Sequence, residues 1–126
     1  MKKFICFMTI TALLLLSSCT QISLIVSDPE LDDAVEEMFV ALVDGDEEAQ
    51  KALYRSDAVY QENVSVEGTV KDIQPLARNV EISDGVTQKD ARYQIETESG
   101  IKYIILVRYI IDDNEEGFYQ YTIAKK

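Results

Sequence analysis

Ala91-Arg92-Tyr93-Gln94-Ile95-Glu96, the corner Glu98-Ser99-Gly100 and Ile101-Lys102-Tyr103-Ile104-Ile105-Leu106-Val107-Arg108-Tyr109-Ile110-Ile111 together decide the fold class. In the first run Ala91, Tyr93 and Ile95 alternate with Arg92, Gln94 and Glu96, the period of a half-buried strand. The second run is apolar at both parities, with Ile104, Leu106 and Ile110 opposite Tyr103, Ile105, Val107 and Tyr109. That is the pattern of a central strand. Upstream, Val64, Val66 and Val70 alternate with Ser65, Glu67 and Thr69, and Val80 and Ile82 follow. Downstream, Phe118 to Ile123 reads as the last strand. Turn residues mark hairpins at Glu98-Ser99-Gly100 and Asp112 to Gly117, with a longer turn near Ser83-Asp84-Gly85.

Ahead of the strands the period changes. Ser27-Asp28-Pro29-Glu30 opens a helix, because Ser27 or Asp28 can cap free amides and Pro29 suits the first turn. Leu31, Val35, Met38 and Leu42 then share one face, with Asp32, Asp33, Glu36 and Glu37 elsewhere, and Phe39, Val40 and Val43 widen the apolar arc. Gly45 fits the left-handed helix end, and Asp46 caps a second helix running through Ala49, Ala52 and Leu53 to about Arg55. Helices followed by a run of strands predict an α+β domain, two N-terminal helices packed on one face of an antiparallel sheet of four to five strands.

The chain begins Met1-Lys2-Lys3-Phe4-Ile5 and continues as an apolar run ending in Leu13-Leu14-Leu15-Leu16. Two cations before a run shorter than the roughly 20 residues of a membrane span make a secretory leader. Leu16-Ser17-Ser18-Cys19 closes it and resembles the lipobox of bacterial lipoproteins. The resemblance implies cleavage before Cys19, diacylglyceryl transfer to its thiol and firm retention, since two or three acyl chains hold where one is marginal. It also implies a cell-envelope address, on the outer face of the cytoplasmic membrane or, with Thr20 rather than aspartate after the cysteine, in the outer membrane. The expected organisation is a leader over 1–18, a lipidated cysteine and short tether over 19–27, and one domain over 28–126. The tether carries Ile22, Leu24, Ile25 and Val26, so it holds the domain near the membrane or forms a first strand.

Loss of Lys2 and Lys3 with the leader leaves ten basic against 23 acidic side chains, a formal charge of −13. Such a chain repels phosphate backbones, which argues against nucleic-acid binding. Cys6 leaves with the leader and Cys19 carries lipid, so the mature domain has no disulfide. With no histidine in the sequence, serine-histidine hydrolysis and ordinary zinc sites are excluded.

The amphipathic helix, the Gly45-Asp46 corner, the short second helix, and the ending Ala91 to Ile95, Ile101 to Ile111 and Gly117-Phe118-Tyr119-Gln120-Tyr121-Thr122-Ile123 resemble the cystatin-like, nuclear transport factor 2-like superfamily. Small lipoproteins with this layout are common there. The resemblance implies a curved sheet wrapped on a helix, often with a conical pocket. Some members are isomerases or dehydratases with an aspartate or histidine base and a tyrosine donor, whereas others bind, dimerise or assemble. Fold alone does not choose between these.

Seven tyrosines invite a pocket reading. Tyr54, Asp57, Tyr60, Tyr93, Tyr103, Tyr109 and Tyr119 would line a concave face, with Asp57 as the nearest thing to a base; the alternative is that strand tyrosines bury their rings. Asp112, Asn114 and Glu116 before Gly117 echo the opening of a calcium loop, yet Ile123 occupies the twelfth position, where a glutamate is required, so a solvated acidic hairpin is the simpler reading. No catalytic constellation, cofactor motif or metal-ligand set is found. The expectation is a lipid-anchored, non-enzymatic binding or protein-interaction module, held to the membrane through Cys19, with a protein partner or a second copy as its counterpart. The alternative is a small-molecule-binding or isomerase-like pocket protein built on the tyrosines, its ligand unknown.

Overall fold

The computed structural model describes residues 27–61 and 64–126. The leader, Leu16-Ser17-Ser18, Cys19 and the tether as far as residue 26 lie outside them, and with them the expectation of a first strand there. The elements are α1 (Pro29–Asp44), α2 (Glu47–Leu53), β1 (Tyr54–Val59), β2 (Val70–Ser83), β3 (Val86–Thr97), β4 (Lys102–Ile111) and β5 (Glu116–Lys125).

α1 begins where the sequence places its cap: Pro29 occupies the first turn, and the Leu31 amide donates to Asp28 Oδ1 at 3.2 Å. It ends at Gly45, whose φ of 68° is the left-handed conformation glycine adopts without penalty. Asp46 then caps α2 by accepting from the Ala49 amide at 3.1 Å, and Gln50 Nε2 donates to the Ala41 carbonyl at 3.2 Å, locking the corner.

The five strands form one sheet in the order β1-β5-β4-β3-β2, with the apolar run of β4 at its centre, as its composition predicts. Tyr93 pairs with Ile105, and Ile105 with Ile123; Ile95 pairs with Tyr103, and Val107 with Tyr121. These side chains share one face and meet Leu31, Val35, Met38 and Phe39 of α1 in one buried cluster. Burying an aliphatic or aromatic side chain contributes about 1.5–3 kcal/mol each, which makes this α1–sheet interface the chief source of stability. The opposite face of β4 is open, with Leu106 half exposed.

The sheet is mixed, which corrects the antiparallel expectation. β1 runs parallel to β5, Tyr54 beside Phe118. α2 delivers the chain to the free edge of β5 at the end where β5 begins, so the strand that leaves it runs the same way. A Cβ on Gly117 would lie 2.8 Å from the Leu53 carbonyl, and the bare glycine lets β1 approach this closely. Two further expectations shift. Val64 and Val66 lie in an irregular segment, half buried against the core, and Val80 and Ile82 belong to one long β2 that reaches back to Val70. The turn at Ser83-Asp84-Gly85-Val86 is tight: Asp84 and Gly85 both take positive φ, the two-residue hairpin that matches strand twist.

Candidate protein-interaction surface

The tyrosines do not converge on one pocket. Tyr93 is fully buried; its hydroxyl donates to Asp32 Oδ1 at 2.6 Å and accepts from Arg78 Nη2 at 2.8 Å. Tyr103 is buried edge-on to Phe39, with 5.4 Å between ring centroids, and its hydroxyl accepts from the Glu67 amide at 3.1 Å. Tyr109 is half buried and donates to Glu116 Oε2 at 2.8 Å. Tyr119 is the extra residue where β5 slips register against β4, between the pairs Arg108–Gln120 and Tyr109–Phe118. Only Tyr54 and Tyr60 come together, ring centroids 4.6 Å apart, in a depression of about 330 Å³ that they share with Tyr121 and Gln61. Asp57 does not line it and accepts instead from Arg55 Nε at 3.0 Å. Burial pushes the Tyr54, Tyr93 and Tyr109 hydroxyls above the usual phenol range, so they remain protonated donors at neutral pH. The space between α1 and the sheet is filled by side chains, Tyr93, Tyr103, Tyr121, Phe39 and Phe118 among them. Among the described residues no three acidic side chains converge on a point where a metal ion would be held.

Two arginines that composition does not single out organise the polar interior. Arg78, on β2, reaches Asp32 on α1 at 2.7 Å beneath the sheet edge. Arg55, on β1, is 7% exposed and binds Asp57 and Asp112, each at 3.0 Å, while its Nη1 donates to the Ile110 and Glu115 carbonyls. The carboxylate of Asp112, first of the residues whose spacing echoes a calcium loop, is therefore occupied internally: Oδ1 takes the Asn114 and Glu115 amides and Oδ2 takes Arg55. The Glu115 and Asn114 amides, with the Arg55 guanidinium, hold the Asp112 carboxyl at about 2. A folded-state value below the ordinary 3.8 means that this stabilisation is complete above about pH 5 and fades as pH falls through 4 toward 2. Urea midpoints measured against pH should therefore drop more steeply over that window in the parent than in Asp112→Asn, the two curves converging near pH 2.

A concavity of about 660 Å³ lies outside the sheet, at the corner between the helices. Asp33, Glu36, Glu37, Asp44 and Asp46 form its rim; Val40, Ala41, Ala49, Ala52 and Leu53 form its floor. The small side chains of α2 leave the space open, and Val40 is 43% exposed there rather than buried against the sheet as its place in the apolar arc predicts. No cation lies among the lining residues, and the last turn of α1 carries Asp44 in place of a basic residue. The negative end of the helix dipole thus coincides with the carboxylates and deepens the negative potential. The acidic rim is visible in the sequence as Asp33, Glu36 and Glu37; the floor is not, because alanines spaced along a short helix carry no binding signal of their own.

No protein-family model, curated protein or solved structure matches this chain. Its fold and surface define a class only: a small α+β domain with a filled core and an acidic, apolar-floored groove between two helices.

Proposed function

We propose that the protein is a lipid-anchored, non-enzymatic interaction module of the bacterial cell envelope whose helix–helix groove receives a cationic, amphipathic segment of a partner protein. The observation that carries this reading is the groove itself, five carboxylates around an apolar floor with no internal cation to neutralise them. A basic helix with an apolar stripe complements both properties, its charge steering encounter and its stripe covering Val40 and Leu53. The Lys2-Lys3 leader and Leu16-Ser17-Ser18-Cys19 support the anchor, through diacylglyceryl on Cys19 and placement on the outer face of the cytoplasmic membrane or in the outer membrane. The order of two helices and then strands ending in the β4–β5 hairpin supports a place among cystatin-like, nuclear transport factor 2-like domains.

Asp44→Lys separates binding from folding. A cation at the C-terminal end of α1 stabilises a helix by about 0.5 kcal/mol, so the variant should unfold at slightly higher urea than the parent. It should also bind a fluorescent Lys/Leu amphipathic peptide at least tenfold more weakly, while the Glu/Leu counterpart binds neither form. Equal affinity of parent and variant for the Lys/Leu peptide would remove the groove from the proposal.

A further inference from the structure

Of the seven large apolar side chains exposed among the described residues, three sit on one hairpin tip: Val80, Ile82 and Val86, with Ile82 the most open at 74%. The tip is closed by a two-residue turn and paired in register from Ser83–Val86 inward. It lies at the end of the molecule where the chain enters. Val80 pairs with Lys89, and Lys89 Nζ holds Asp28 Oδ2 at 2.8 Å, so the N-cap of α1 is clamped to the base of the same hairpin. From there α1 runs away toward the groove. Beyond the Val80–Lys89 pair the hairpin runs about 13 Å further at the rise of a strand, flanked by β4 as far as the Thr87–Ile111 pair. Eight residues separate Cys19 from Asp28, and the chain between the two reaches at most about 30 Å.

We infer that the β2–β3 hairpin tip is a second membrane contact, inserting Ile82 with Val80 and Val86 into the headgroup–acyl boundary of the bilayer that holds the lipid on Cys19. This rests on the anchoring reading above. The reach of the tether exceeds the run of the hairpin beyond that pair, so both contacts form at once. Three modest side chains bind a free bilayer weakly, but a tether this short holds them at a local concentration on the order of millimolar, where weak contacts are occupied. Glu81 and Asp84 flank the tip, and Asp113, Glu115 and Glu116 lie on the neighbouring β4–β5 turn. The surface that fits is therefore zwitterionic, and anionic lipid opposes the contact.

The absence of tryptophan makes the test direct. Ile82→Trp and, as a control in the groove, Val40→Trp would be made in the full lipidated chain and reconstituted in phosphatidylcholine vesicles containing bromine-labelled acyl chains. The inference predicts blue-shifted, bromine-quenched emission for Ile82→Trp, weakening as phosphatidylglycerol replaces the zwitterionic lipid, and unquenched emission for Val40→Trp. Unquenched emission from Ile82→Trp in chains that float with the vesicles overturns the inference alone. A blue shift without quenching assigns the tip to a second copy and overturns it equally. Chains that do not float overturn the anchoring reading and this inference with it.

Discussion

Phe39→Ala is expected to lower the unfolding free energy by about 4 kcal/mol, the range found when a buried phenylalanine is truncated and its neighbours collapse only partly. Phe39 is fully buried at the centre of the α1 stripe and edge-on to Tyr103. Tyr103 cannot move to fill the space without giving up the Glu67 amide. Since domains of this size have total stabilities of 5–15 kcal/mol, the variant should retain little folded protein at moderate urea. Phe39→Leu keeps most of the volume and should lose under half as much. Urea unfolding followed by far-ultraviolet circular dichroism measures both; a loss below about 1 kcal/mol in the alanine variant would mean that α1 is not the element that closes the core.

Arg55→Met comes next, with an expected loss of about 3 kcal/mol. The side chain joins β1 to the β4–β5 turn through Asp57, Asp112 and two backbone carbonyls, and it is almost wholly enclosed. Removing one partner from a buried ion cluster strands the others; the partners here are partly solvated, with the Asp112 side chain 24% and Glu115 37% exposed, which places the effect at the low end of the 3–5 kcal/mol range. Arg55→Lys keeps the charge but not the fork that serves Asp57, Asp112 and the carbonyls together, and should recover less than half of the loss. In both variants β1 should exchange its amides faster than β4, because only the edge strand loses its clamp.

What the sequence discloses about this fold follows from which residues obey a period. α1 has caps at both ends and an unbroken apolar stripe, and β3 and β4 alternate cleanly around Tyr93 and Ile105, so these elements and the central place of β4 are legible. β1 is not. Tyr54 to Val59 follows α2 without a turn residue, and its one buried side chain is Arg55, a residue that reads as solvent-facing wherever its partners are unknown. β2 is obscured because the register slips between Pro75 and Ala77, which breaks the alternation in mid-strand. Pro75 is tolerated because β2 is an edge, where a missing amide leaves no neighbour unpaired. The parallel pairing of β1 with β5 depends on where α2 sets the chain down, information no local pattern holds.

The tyrosines show the same limit from the other side. Counting them marks a surplus of rings with hydroxyls, but the register of β3 with β4 turns Tyr93 and Tyr103 into the core beneath α1, where Asp32 and the Glu67 amide take their hydroxyls. Asp32 itself counts as surface in the helical pattern and in the structure is the partner of Arg78. The groove was half legible. Its carboxylates stand out in the sequence, while Val40, assigned to the core by its place in the apolar arc, turns out to face the groove.

Anchoring of the proposed module by lipid on Cys19 is open to one decisive measurement, the intact mass of the protein extracted in detergent from the membranes of bacteria that make it. The expected species is a chain that starts at Cys19 and carries a diacylglyceryl group, with or without a further acyl chain on its amine. A chain beginning at Met1, or cut elsewhere with Cys19 bearing a free thiol, would contradict it.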